Sequence, residues 1–131
     1  MIKFFSNNKI IFFTLNLFLI FLYLFPGSLP GKILYGDFKI QPQITPDFIV
    51  SSNHFYVFLL LSIIGFFTYV KYNKIKILVI YLISLSVVLE FSHIFLPERS
   101  FEWSDLFGNL LGVIVVIFIK KFINKYGFFK K

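Results

Sequence analysis

Four uninterrupted apolar runs divide the chain, roughly Ile10 to Phe25, Phe55 to Val70, Ile77 to Leu96 and Leu106 to Ile119. A straight helix needs about 20 residues to cross a bilayer, with a range near 17 to 25. Three of the runs fall short, so each predicted helix draws in flanking polar residues: Asn8 and Lys9 for the first, Asn53 and His54 for the second, Ser104 and Asp105 for the fourth. The pattern predicts helices over about 8–25, 53–70, 77–97 and 104–120, with a long segment over 26–52 and two short turns between them. The expected fold class is an all-α membrane protein, a four-transmembrane-helix bundle forming one domain over residues 1–131.

Composition agrees. Hydrophobic residues make up 58% and charged residues 15%, whereas a soluble domain carries about 25% charged residues. Too few ions are present to coat a water-facing core, so the lipid bilayer is the expected solvent. There is no cysteine, which excludes disulfides, thiol nucleophiles and thiolate metal sites. Only His, Asp and Glu remain as ligands, and with two His the sequence assigns no metal and no cofactor.

The net charge of +7 matters less than its placement. With the N-terminus inside, segments 1–9, 71–76 and 120–131 hold ten Lys and no acid, while the outer segments hold Lys32, Lys39 and Arg99 against five acids. Positive charge retained in the cytoplasm orients such a bundle with both termini cytoplasmic. The tail with Tyr126, Phe128 and Phe129 among its lysines then reads as a lipid-facing anchor, and nucleic acid is not an expected partner. A cleaved signal peptide is the rival for the first run, but a small-x-small site is missing and Pro26 and Pro30 crowd its place. All five prolines fall in outer segments. Segment 26–52 is partly apolar through Phe38, Ile40, Ile44, Phe48 and Ile49, and either lies on the membrane surface or folds back over the bundle.

Polar residues recur at helical spacing toward the outer helix ends. Ser86, Glu90 and His93 share one face of the third helix, and Asp105, Asn109 and Gly112 repeat the spacing in the fourth. Gly108 and Gly112 form a G-x-x-x-G that admits a neighbouring backbone, and Leu61, Gly65 and Thr68 continue a stripe below His54. In the turn between, Pro97 ends the third helix, Trp103 belongs at the interface and Ser104 is placed to cap the fourth helix. Glu90 precedes Pro97 by seven residues, about 10 Å at 1.5 Å per residue. An acid at the bilayer centre costs roughly 2.5 to 3.5 kcal/mol, so Glu90 must be protonated, paired or facing water. Arg99 is its nearest candidate partner in sequence.

Glu90-x-x-His93, Pro97-x-Arg99 and Asp105-x-x-x-Asn109-x-x-Gly112 together resemble the signature of the VanZ-like family, named for a teicoplanin-resistance protein. Its usual form is E-x-x-Q, P-x-R, then D-x-x-x-N-x-x-G. The Tyr23-Leu24-Phe25-Pro26 end of the first helix and His54-Phe55-Tyr56 are similar to further family positions. His93 stands where the family commonly has Gln, Val116 where many members have a second Gly, and Ser51, Ser52 and Asn53 where an acid commonly precedes the helix-two His. The resemblance implies a small four-helix membrane protein of the bacterial inner (plasma) membrane, connected with the cell envelope and sometimes with glycopeptide tolerance.

Each of these residues also has a purely structural reading. Glu90 with His93 serves as an interhelical lock, Arg99 with Asp105 as a loop ion pair, His54 as an interfacial helix end, and Gly65, Gly108 and Gly112 as packing positions. Against that, His54, Glu90, His93, Arg99, Asp105 and Asn109 all belong to the outer half, and the inner halves are almost wholly apolar. That argues against a channel or transport path, which needs polar groups at midplane. The expectation is an outward-facing polar pocket, formed by those six residues, for an anionic or polar headgroup of an envelope lipid or lipid-linked cell-wall precursor. Two alternatives stand: an enzyme of headgroup chemistry using His54, His93 or Glu90 as acid or base, with no catalytic residue assigned, and a subunit that meets a membrane protein partner through its G-x-x-x-G face.

Overall fold

The computed structural model describes residues 1–72 and 74–126. Phe128, Phe129, Lys130 and Lys131 of the predicted anchor lie outside the described residues, as does the Tyr126 side chain. Among the described residues there are six α-helices: α1 (Ile2–Asn7), α2 (Lys9–Leu24), α3 (Leu29–Tyr35), α4 (Ser52–Tyr69), α5 (Ile75–Ser92) and α6 (Trp103–Tyr126). Short 3-10 turns at Val70–Tyr72 and His93–Phe95 extend α4 and α5.

Among the described residues three stretches are long and apolar enough to cross a membrane: Ser52–Tyr72, Ile75–Phe95 and Trp103–Ile123, each of 21 residues. At 1.5 Å per residue each reaches about 31 Å, against a hydrocarbon core of about 30 Å. With 16 residues, α2 reaches only about 24 Å. After an 80° bend it is followed by α3, and the two together make a fourth span if counted as one. Ser28 starts α3 by accepting the Gly31 N–H on its hydroxyl at 3.0 Å. Gly36, at φ 75°, ends it in a left-handed conformation that glycine adopts freely. The fold is therefore an all-α bundle of a multi-span membrane protein, with three long apolar helices and up to four.

The core joins Phe12 and Leu19 of α2, Phe58, Leu61 and Phe66 of α4, Leu78, Leu82 and Leu89 of α5, and Val113 of α6. Large apolar side chains also cover the outside, among them Phe18, Phe21, Leu60, Ile80, Val88, Phe107 and Phe118. An apolar surface this extensive is solvated by lipid rather than water.

Helix α6 runs parallel to α4 at close range. A methyl group on Gly108 would stand 2.7 Å from the Ser51 carbonyl oxygen, and one on Gly112 would stand 2.7 Å from both the Phe55 carbonyl oxygen and the Leu59 nitrogen. The small residues let two backbones meet, and α5 and α2 fill the remaining sides. Gly65 faces Leu78 and Phe12, where an added methyl would lie 2.9 Å from either side chain.

One sequence-based expectation is revised and two elements are added to the picture. The predicted first helix is α2, and a further short helix, α1, precedes it, separated by Asn8, which departs from helical geometry (φ −111°, ψ 59°). Ser104 is not a cap: α6 begins at Trp103, the Glu102 carbonyl accepts the Asp105 and Leu106 N–H groups, and the Ser104 carbonyl accepts the Ser51 N–H. Segment 26–52 holds a helix of its own and folds back onto the helix ends. Its return is fixed by the Asn53 amide, which donates to the Pro42 carbonyl and accepts from the Ile44 N–H, and by Asp47, which accepts the Ser52 N–H.

Candidate functional site

Because consecutive long helices alternate in direction, the end of α2, the start of α4, the end of α5 and the start of α6 meet at one end of the bundle. Each contributes polar side chains within its terminal turns. Tyr23 comes from α2, His54 from α4, Glu90 from α5, His93 from the 3-10 turn after it, and Asp105 and Asn109 from α6. All are buried except Asp105, whose side chain is 18% exposed.

Tyr23 is the hub. Its hydroxyl donates to Asn109 Oδ1 at 2.7 Å and stands 3.0 Å from His54 Nδ1. Its ring stacks on His93, with centroids 5.7 Å apart, and its carbonyl accepts from His93 Nε2 at 3.2 Å. A carbonyl can only accept, so that nitrogen carries a proton.

Glu90 is fully buried, and its two oxygens differ. Oε1 accepts the Glu102 backbone N–H at 3.1 Å and lies 3.3 Å from His93 Nδ1. Oε2 lies 3.8 Å from His54 Nδ1 and has no hydrogen-bond partner among the described residues. On its other side His54 places Nε2 3.2 Å from Asp105 Oδ2. The bond from Glu102 ties the turn to the buried acid across a stretch in which Glu98 takes a left-handed φ of 58°, a conformation disfavoured for residues other than glycine.

Arg99 is half-buried beside this group but does not pair with Glu90, for which it is the nearest cation in sequence. Its Nη2 donates to the Gly27 carbonyl at 2.7 Å and more weakly to that of Leu22 at 3.4 Å. No ion pair joins it to a carboxylate among the described residues. Burial lowers its pKa from the ordinary guanidinium value, while nearby Tyr23, Asp105 and Glu90 act in the opposite sense. Arg99 clamps the bend at which α2 gives way to α3.

Next to the cluster lies a cavity of about 410 Å³. Leu19, Leu22 and Val57 line it, together with Gln41 and Ile44 of the returning segment and His54. Arg99 is not among its lining residues. The cavity surface is mostly apolar, with polar side chains from Tyr23, Ser28, Gln41, Gln43, Asn53 and His54 on its lining.

Five of the six sequence-level site residues, His54, Glu90, His93, Asp105 and Asn109, thus converge, and Arg99 stands beside them facing backbone. Sequence reasoning missed Tyr23 as the hub, although a hydroxyl in an apolar run was a usable signal. It also missed Asn16, buried in the middle of α2, whose amide donates to the Tyr81 hydroxyl at 2.6 Å. The G-x-x-x-G face is consumed inside the chain by α4, so it is not free for a partner. No metal was expected, yet one ligand atom each from His54, Glu90 and Asp105 lie within 4.8 Å of one another. No family model, curated protein or solved structure matches the chain.

Proposed function

We propose that this chain is a VanZ-like protein of the bacterial inner membrane, with four spans and both termini cytoplasmic, that binds the headgroup and upper chain of an envelope lipid or lipid-linked cell-wall precursor. The observation that carries this reading is the cavity beside His54. Its apolar lining of Leu19, Leu22 and Val57 suits a hydrocarbon chain, and the same lining includes His54 of the His54, Glu90 and Asp105 group. The VanZ-like assignment rests on the spacing of Glu90, His93, Pro97, Arg99, Asp105 and Asn109. The orientation rests on ten Lys in segments 1–9, 71–76 and 120–131, against an acidic balance at the opposite end. In this reading His54 meets the headgroup, while Tyr23, Asn109 and Glu90 fix the ring behind it. Arg99 acts indirectly, by holding the bend that forms part of the cavity rim.

A second reading, acid/base chemistry on the headgroup, draws on one specific observation: Glu90 Oε2 is buried beside His54 with no hydrogen-bond partner among the described residues. Glu90→Gln discriminates, because an amide keeps the shape and loses the base.

The test is purification of the full chain in mild detergent, followed by mass spectrometry of the lipids it retains. Enrichment of one polar-headgroup lipid class over its share of the membrane supports the reading. Retained lipid that mirrors bulk membrane composition overturns it.

A further inference from the structure

The acceptors around His54 outnumber the donors. Tyr23 has one hydroxyl proton, and it goes to Asn109 Oδ1, so at the 3.0 Å contact His54 Nδ1 is the donor and Tyr23 Oη the acceptor. Neutral imidazole then keeps its lone pair on Nε2, which faces Asp105 Oδ2 at 3.2 Å. Two acceptors at that distance need something positive between them. Glu90 adds a third, since Oε2 is buried, has no hydrogen-bond partner among the described residues and lies 3.8 Å from Nδ1 of the same ring.

We infer that His54, Glu90 and Asp105 form a binding site for one divalent transition-metal ion, with His54 and two carboxylates as ligands from three different helices. One ligand atom from each already lies within 4.8 Å of the others. The nearest pair, His54 Nε2 and Asp105 Oδ2 at 3.2 Å, already has about the separation of two ligands that each stand about 2.0 to 2.2 Å from one zinc ion. The supporting groups are those a metal site requires. A metal-bound imidazole donates its other N–H to an acceptor that fixes ring and tautomer, and Tyr23 occupies that position, itself held by Asn109. A ligating carboxylate is held by its second oxygen, and Glu90 Oε1 accepts the Glu102 N–H and lies 3.3 Å from His93 Nδ1.

The donor set selects the ion. An imidazole nitrogen favours a zinc-class cation over magnesium or calcium, and calcium needs six to eight oxygens, more than three side chains supply. Two carboxylates balance the ion's charge, and three protein ligands leave a position open, beside the cavity that His54 lines. The inference rests on the side-chain cluster and not on the lipid reading, so each can fail without the other.

The experiment uses the full chain, carrying no histidine tag, purified in detergent, stripped with chelator and dialysed against Zn²⁺ or Co²⁺. Metal per chain is measured, and Co²⁺ absorption reports the coordination. One ion per wild-type chain is expected, with a tetrahedral-type Co²⁺ spectrum. Asp105→Asn and Glu90→Gln, both isosteric, should weaken binding at least tenfold, whereas Glu98→Gln, outside the cluster, should leave it unchanged. Helicity and gel-filtration profile establish that each variant is folded. If Glu90→Gln does not fold, the partly exposed Asp105→Asn decides alone. Folded wild-type protein that takes up no ion, or binding that Asp105→Asn leaves unaltered, overturns the site.

Discussion

The Tyr23 hydroxyl stands 3.0 Å from His54 Nδ1, joining the last turn of α2 to the first turn of α4 inside the protein. The same oxygen donates to Asn109 of α6 at 2.7 Å, so three helices meet at one buried atom. Tyr23→Phe removes both contacts while conserving shape, and it takes from Asn109 Oδ1 the hydroxyl that satisfies it, beside an Nδ2 that has no partner among the described residues. An orphaned buried polar group costs about 1 to 3 kcal/mol. Thermal unfolding in detergent should therefore show a clear loss of stability, and an unchanged midpoint would remove Tyr23 from its place as hub.

Backbone contact between α4 and α6 makes the two glycines of α6 intolerant of a side chain. At Gly112 a methyl group would be 2.7 Å from main-chain atoms of Phe55 and Leu59, and backbone cannot rotate away. Overpacking of this kind costs about 1 to 3 kcal/mol. Gly112→Ala should lower the unfolding midpoint, whereas Gly36→Ala, in open space, carries only the strain of its positive φ. A harmless Gly112→Ala would show that the helices are not in backbone contact.

Arg99 tests the clamp at the α2 to α3 bend. Hydrogen bonds from a charged donor contribute about 1.5 to 3 kcal/mol, and two run from Nη2 to the Gly27 and Leu22 carbonyls. Arg99→Ala should reduce folded yield and midpoint. Arg99→Lys should recover part of the loss, since an ammonium can reach one carbonyl but lacks the planar fork. Full stability in Arg99→Ala would free Arg99 for direct contact with a ligand.

These contacts also mark what the sequence can and cannot convey. The apolar runs placed α2, α4 and α5 to within a few residues because Lys and Pro bound them, whereas α6 runs on through Lys120 and Lys121 to Tyr126; the period of Glu90, His93, Asp105 and Asn109 set them on facing sides. The break at Asn8 and the helix Leu29–Tyr35 escaped notice because neither changes the hydropathy pattern enough. Arg99 was matched to a carboxylate because charge is legible in a sequence, whereas its actual partners are main-chain carbonyls, which every residue carries. The same limit hid Tyr23, whose role exists only once α4, the His93 turn and α6 surround it.

Orientation has its own check. Ten Lys in segments 1–9, 71–76 and 120–131 should hold those segments in the cytoplasm. A reporter that is active only outside the cytoplasm should be silent when fused after Lys131 and active when inserted at Lys39. A strong signal at Lys131 would reverse the orientation or reduce the number of spans.

The most direct test of amphiphile binding is the amount of lipid retained per chain when the cavity is filled. Val57 lines the cavity, while Leu60 on the same helix faces outward and is 56% exposed. Wild-type protein and Leu60→Trp should retain the same selected lipid after detergent exchange, and Val57→Trp should lose most of it while unfolding at a similar temperature. Equal retention in all three would contradict the account, because the lipid would then be held on the outer surface and not beside His54.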